Sequence, residues 1–397
     1  MSEVISRREF SKSALSALAT ASALPAIVNA CATVATSRTL PPLAPLEPSR
    51  QAELDGDEFR AWREIDRLAR LAPTPHNTQP FRIRPRDGTT AEIVAVPDRF
   101  LPEEDHGNRY VTSAFGIMAE TIELAARTIG LRVRVTAVES VNVADLHRAA
   151  DMPVLGTAVI QPVILSEVKD LLGENNRILR LGQDDILGLR RTSRIPYHDR
   201  LIAPEVWETL RADVESHGHR LLETHDPEVV EATLRLNANS IIDNLAFAPE
   251  RKEIQRWYRT GPTPQFGDGL WEIPLNQKVF HIRTAFGSPR AYRLPIIRPL
   301  AIREYLKTQR GTRHIALLRG PFRTWPELVA AGRALFRMWT DMARLGVHIQ
   351  PMGSMLTNAK YAAIVAERFG VNDCWLIMRA GYSDLPPRAP RLETILI

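Results

Sequence analysis

The chain has 397 residues, 44% of them hydrophobic and 24% charged, with 51 Lys and Arg against 46 Asp and Glu. That length suits two or three domain-sized units, and the composition excludes disorder and collagen-like repeats. Two cysteines, Cys31 and Cys374, exclude a disulfide framework or a four-thiolate zinc site, while the net charge of +5 raises the question of an anionic partner.

The first 30 residues read as a targeting segment. Ser6-Arg7-Arg8-Glu9-Phe10-Ser11-Lys12 matches the twin-arginine export pattern, with Ser11 in place of the usual Leu. The stretch Ala14 to Val28 is too short and polar to span a bilayer, and Val28-Asn29-Ala30 offers a small-residue cleavage site. Cys31 follows directly, so a lipid anchor is one expectation; a free thiol or later trimming is the other. The expected location is therefore periplasmic or membrane-anchored. Residues 31–56 lack helical spacing and read as a flexible linker.

Trp62, Ile65, Leu68 and Leu71 predict a short amphipathic helix. The loop Leu71-Ala72-Pro73-Thr74-Pro75-His76-Asn77-Thr78-Gln79-Pro80 then leads into a strand at Phe81-Arg82-Ile83. Its Asn77 and Gln79 amides both donate and accept hydrogen bonds. Glu103, Glu104, Asp105 and His106 lack metal-ligand spacing and predict a solvated turn. Phe115, Met118, Ile122, Ala125 and Ile129 form one apolar stripe, Gly130 stops that helix, and Leu131 to Val135 alternates as a strand.

The layout then recurs. A basic run, Leu189-Arg190-Arg191-Thr192-Ser193-Arg194, precedes a second short helix marked by Trp207, Leu210 and Val214. Leu328, Leu335, Met338, Trp339 and Met342 stripe a second long helix, stopped at Gly346 and followed by Val347-His348-Ile349. Between them, about 250–313, an insertion breaks the pattern. A turn, Gln350-Pro351-Met352-Gly353-Ser354, follows the second long helix. Cys374 opens an apolar run and reads as a core thiol. The tail carries Arg379-Ala380-Gly381-Tyr382 and then Pro386-Pro387-Arg388-Ala389-Pro390-Arg391. The expected organisation is a leader over 1–30, a linker over 31–56, one repeat over 57–180 and a second over 181–397 containing the insertion. No Gly-rich phosphate loop and no Ser-His-Asp pattern stands out.

On four of these segments the chain resembles the nitroreductase family. The Pro75-His76-Asn77-Thr78-Gln79-Pro80 loop is similar to that family's Ala-Pro-Ser-x-x-Asn-x-Gln-Pro-Trp loop, with Thr74 for Ser and Phe81 for Trp. The arginine run is similar to its Arg-Arg-Ser-x-Arg segment. The resemblance implies an α+β fold binding flavin mononucleotide (FMN). It implies a phosphate grip from Arg190, Arg191, Ser193 and Arg194, joined by Arg388 or Arg391. It implies loop contacts to the ring from Pro75, His76, Asn77 and Gln79, and a Met352–Gly353 turn presenting a backbone N–H toward the flavin.

Ordinary members are dimers, each site shared between two chains. Here the Asn loop belongs to the first copy alone; Ser216-His217-Gly218-His219-Arg220 stands in its place in the second. The arginine grip, the Gly turn and the basic tail belong to the second copy alone. The resemblance therefore implies two tandem repeats fused into a pseudo-dimer with one FMN per chain. It implies electron transfer to a nitroaromatic- or quinone-like small molecule, with no protein acid or base required and a donor the sequence does not name. A flavin-sequestering protein without turnover is the alternative, and a lid formed by the insertion favours it. Residues 251–310 carry twelve Lys or Arg and four Asp or Glu, so the basic surplus sits in the insertion and is no argument for nucleic acid.

Overall fold

The computed structural model describes residues 47–161, 187–261, 266–277, 286–287 and 294–397. The export leader, Cys31, the expected boundary between repeats at 180–181 and parts of the insertion lie outside the described residues. The fold is α+β. Among the described residues no helix is long and apolar enough to cross a membrane.

Two helices open the described chain, α1 (Pro48–Leu54) and α2 (Arg60–Ala69). The expected linker thus ends early. Leu54 is buried, and Arg50 donates to the carbonyls of Pro85 (2.7 Å) and Ile397 (3.2 Å), which docks α1 on the body. Strands β1 (Phe81–Pro85) and β2 (Thr90–Ala95) follow, then α3 (Arg109–Thr128), β3 (Arg132–Ala137) and β4 (Val154–Gln161). They form an antiparallel sheet of order β1-β2-β4-β3.

The second unit runs α4 (Pro204–Ser216), β5 (Arg220–Thr224), the insertion, β8 (His314–Arg319), α9 (Trp325–Arg344), β9 (Val347–Pro351) and β10 (Cys374–Tyr382). Its sheet has the order β5-β8-β10-β9, the same topology strand for strand. Between β5 and β8, α5 (Pro227–Ala246) precedes the expected insertion, which contributes α6 (Ala248–Trp257), β6 (Tyr258–Arg259), β7 (Leu270–Trp271), α7 (Glu272–Leu275) and α8 (Ile297–Thr308). Two further helices, α10 (Ser354–Thr357) and α11 (Ala359–Phe369), precede β10.

The apolar stripes fall where their spacing places them. Phe115, Met118, Ile122 and Ala125 are buried on α3, as are Leu328, Leu335, Met338, Trp339 and Met342 on α9. Ile129 lies past the end of α3 and is exposed. Strand β8 is buried on both faces, so its alternate residues serve different cores. Ala316 and Leu318 face the main core with α9, whereas Ile315 and Leu317 join Met352, Met355 and Tyr361 in a second one. Cys374 is half-buried against that second cluster; burial pushes its thiol up to about 12, as suits an inert packing group.

Helices α3 and α9 cross at Gly116 and Gly332. Each helix has twenty residues, and each glycine is the eighth. A Cβ on Gly332 would lie against the Ser113 carbonyl oxygen and 3.0 Å from Gly116 Cα; one on Gly116 would lie 3.0 Å from Gly332 Cα. The backbones therefore touch, which only glycine permits. Arg333 and Arg337 of α9 flank the crossing with ion pairs to Glu120 of α3 at 2.6 and 2.9 Å.

The tail crosses back to the first unit. Ile83 of β1 donates to the Ile395 carbonyl (2.9 Å), and Ile397 donates to the Ile83 carbonyl (3.0 Å). The buried Asp66 carboxylate of α2 accepts from the Ile395 N–H at 2.9 Å. The chain's end thus lies beside β1 as an added strand in parallel orientation.

The helix crossing predicts a packing cost. Gly332→Leu would overpack the contact by about 3 kcal/mol, and chemical denaturation should show a lower midpoint. An unchanged midpoint would contradict the close crossing.

Candidate functional site: a cleft lined by five arginines

Four segments meet between the two units: the loop after α2, the arginine run, the insertion and the tail. They enclose a cavity of about 90 Å³. Its walls include Arg190, Arg191, Arg194, Arg388 and Arg391, with no carboxylate among the described residues that line it.

The loop after α2 is tightly wound. His76, Asn77 and Gln79 have φ of 48°, 54° and 49°, left-handed conformations unusual outside glycine. Thr74 Oγ1 holds the turn by accepting from the Gln79 N–H at 2.9 Å. Pro75 sits inside the turn, while His76 and Asn77 reach the cleft wall. The amides of this loop are committed to protein. Asn77 Nδ2 donates to Pro390 O (2.8 Å) and Gly269 O (3.2 Å), and its Oδ1 accepts from Arg391 Nη1 (2.8 Å). Gln79 donates to Gly267 O (2.7 Å) and accepts from Leu392 N (3.1 Å). Both side chains clasp the insertion and the tail onto the first unit.

The insertion is tied down a second time. Asp268 is fully buried and pairs with Arg99 and Arg259, each at 3.0 Å. Arg99 also donates to Thr78 O at 2.7 Å, which joins the pairing to the loop. Gly269, Leu270, Trp271, Pro274 and Leu275 then form one wall of the cleft.

The arginine run is extended beside β9, with Ser193 N donating to Ile349 O at 3.0 Å. That pairing sets which way each side chain points. Thr192 lines the cleft. Ser193, the expected phosphate ligand, is buried away from it, its hydroxyl 2.9 Å from Ser383 Oγ. Arg379 holds the run from behind. Its buried guanidinium donates to the carbonyls of Ser193 and Ile195, both at 3.0 Å, and to Gln350 Oε1 at 2.8 Å. Met352 packs in the second core and Gly353 caps α10; neither lines the cleft.

The electrostatics of the cleft are one-sided. Burial pushes Arg190 down to about 9, with Arg391 and then Arg388 adding to the effect. Burial pushes Arg391 down to about 10, with Arg388 adding, and burial likewise lowers Arg194 to about 10. Arg190 lies over the Trp339 ring at 4.7 Å and donates to Leu71 O at 2.9 Å. Its Nε, and that of Arg391, are buried with no hydrogen-bond partner among the described residues. Arg191 is spent on the carbonyls of Gly188 (2.9 Å) and Pro386 (2.6 Å), and Arg388 is exposed. Converging, partly desolvated guanidinium groups, with no counter-charge among the described lining residues, make a site for a strong anion, and planar N–H forks suit a phosphate.

The stretch Glu103 to His106 is a turn with Glu103 and His106 exposed, as expected, but Glu104 and Asp105 point inward. Asp105 is buried and accepts from the Val111 N–H (2.8 Å) at the start of α3; burial raises its carboxyl to about 6. Glu104 turns inward to His76, Oε2 to Nε2, at 2.9 Å. Elsewhere Glu223, His225 and His314 gather their ligand atoms within 4.8 Å of one another. Ile202 N–H donates to His314 Nε2 at 2.9 Å, which places the neutral ring's proton on Nδ1, 2.8 Å from Glu223 Oε1. A metal on Nδ1 would move that proton onto Nε2, against the Ile202 N–H. This cluster is a hydrogen-bonded pair with a neighbour, not a metal centre.

Similar solved structures are nitroreductases. One, from Desulfitobacterium hafniense with bound FMN, is 13% identical with a TM-score of 0.31, over 52% of this chain and 94% of that one. The FMN-dependent nitroreductase NfnB from Mycobacterium smegmatis, in complex with NADPH, is 16% identical with a TM-score of 0.30, over 54% and 95%. No family model matches the chain, and no curated protein does.

Thr192 was hidden from sequence reasoning because a neighbouring hydroxyl offered the same chemistry. Only pairing with Ile349 tells the two apart. Trp271 carried no signal at all.

Inorganic phosphate should stabilise this protein through the cleft. At 100 times its Kd, a ligand adds about 2.7 kcal/mol. Thermal unfolding should shift upward with phosphate in the native chain and not in Arg190→Met. Equal shifts in both would contradict an anion site at Arg190.

Proposed function

We propose that this chain is a flavin-dependent oxidoreductase of nitroreductase type, holding one FMN between its two units. The observation that carries the reading is the convergence of Arg190, Arg194 and Arg391 on a cleft with no carboxylate among the described residues of its lining. The buried Nε atoms of Arg190 and Arg391, without a partner among the described residues, fit a phosphate dianion. Arg190, Arg391 and Thr192 would hold it, with Arg388 adding charge from the rim. Trp271, Pro274 and Leu275 supply an apolar wall suited to a ring. Flavin, when bound, supplies electron transfer to a nitroaromatic- or quinone-like acceptor.

Asn77 and Gln79 take a different part in this reading from direct ring contact. Their amides hold the insertion and tail in place, so they shape the wall. Arg379 fixes the arginine run against β9 and acts as a positioning residue.

We read the two units as a fused duplication. Two sheets of the same order, two long helices of equal length and a glycine at the same place in each support it. The cleft takes its loop from one unit and its arginines from the other, which gives one site per chain. The twin-arginine leader supports export, and with it a donor other than a cytoplasmic nicotinamide. Lipid attachment at Cys31 is an extension of the same reading.

Purified protein loaded with FMN should be reduced by dithionite and reoxidised by a nitrofuran or quinone. Arg190→Ala should lower flavin occupancy about tenfold or more, the loss of a charge-assisted hydrogen bond of about 1.5–3 kcal/mol. Bound flavin that is reduced and never passes electrons on would leave a flavin store. Protein that takes up no flavin would overturn the reading altogether.

A further inference from the structure

His76 is the one imidazole among the described residues of the cleft wall. Its Nε2 lies 2.9 Å from Glu104 Oε2, and its Nδ1 is buried with no protein hydrogen-bond partner among the described residues. Behind Glu104 stands Glu253 of α6, whose carboxylate accepts from the Glu104 N–H (2.9 Å) and the Glu103 N–H (3.2 Å). Glu250, one turn earlier on α6, faces the same space. The groups run inward from α6 to the cleft: Glu250 and Glu253, then Glu104, then His76.

We propose that His76 donates the proton that accompanies reduction of an acceptor bound in the cleft, and that Glu104, backed by Glu253, holds its charge. The inference rests on the oxidoreductase reading and adds to it an acid that the sequence did not show.

The chemistry balances. Reducing a quinone to a hydroquinone consumes two electrons and two protons. A reduced flavin held in the cleft, the electron donor in this reading, would supply both electrons and one proton. The second proton leaves His76 Nδ1, and an O–H bond forms on the quinone oxygen. The imidazolium becomes a neutral imidazole that keeps its Nε2 proton toward Glu104, and Nδ1 is recharged by a proton from solvent entering the cleft once the product leaves.

The electrostatic surroundings agree with the geometry. Burial alone would lower His76, but the Glu104 carboxylate, and then Glu253, outweigh it, so the ring is raised above its ordinary value despite Arg194 nearby. Burial raises Glu253 to about 7; the Glu103 and Glu104 N–H groups and His76 oppose the rise, while Glu104 adds to it. Burial raises Glu250 to about 7 too, with Glu104 and Glu103 adding and His106 opposing. A raised imidazole is a proton donor across neutral pH, and its contribution to rate disappears as pH rises through its pKa. General acids of this kind contribute about 10²–10⁴ in rate.

The test uses the full chain loaded with FMN. His76→Asn keeps a residue that tolerates the left-handed backbone. It should cut reoxidation by menadione about 100-fold at unchanged flavin content, and it should remove the alkaline fall of the pH–rate profile. Histidine NMR of the protein, with His76→Asn as the assignment blank, should show His76 titrating above about 6.5. In Glu104→Gln and Glu253→Gln that midpoint should fall, and the alkaline limb should move with it. A native rate and profile in His76→Asn, or an unmoved His76 midpoint in Glu104→Gln, would overturn the proposal. Protein that binds no flavin would overturn the oxidoreductase reading itself, and this proposal with it.

Discussion

The organising constraint of this molecule is like charge brought together out of water. Arg190, Arg194 and Arg391 converge on one cleft, each lowered in pKa by burial. Isolated buried charges are costly, and charges of one sign costlier. The fold tolerates them because backbone carbonyls, the Trp339 ring and the Asn77 amide partly satisfy them. Among the described residues nothing supplies a counter-charge. An anion does, and so the cleft is read as a ligand site and not as a structural knot. The contrast with Arg99, Asp268 and Arg259 is instructive: there a buried carboxylate is present, and the cluster serves to fasten the insertion.

Assembling such a cleft requires segments far apart in sequence. The arginine run is fixed by pairing with β9 and by Arg379 behind it. The tail is brought over by its pairing with β1. The loop with three left-handed residues then clasps tail and insertion together through Asn77 and Gln79. All of this depends on the two units being held close, and the contact of Gly116 with Gly332 sets that distance. A single chain carrying both units fixes the pairing that a dimer would have to find by association.

Much of this was legible in the sequence, and what was not has a physical reason. The stripes on α3 and α9 follow from spacing, and Gly130 and Gly346 end their helices at positive φ as expected of C-terminal stops. Residue types announced the arginine run and the amide loop. Their detailed roles were not legible, because partners distant in the chain decide them. Ser193 and Thr192 differ only in which side of an extended segment they occupy. The amides of Asn77 and Gln79 are engaged by carbonyls of Gly267, Gly269 and Pro390. Glu104 looked like a solvated acid until His76 lay beside it. The helix over Pro48–Leu54 is likewise a tertiary result, docked through Leu54 and Arg50 on a sequence with weak helical spacing.

The claim that matters most is that the arginines hold the phosphate of a single flavin. Calorimetric titration of the flavin-free protein with FMN and with riboflavin, which lacks the phosphate, tests it most directly. The account predicts one FMN per chain and riboflavin binding at least about 100-fold more weakly, a difference of about 2.7 kcal/mol. Equal affinity for the two flavins, or two FMN per chain, would contradict it.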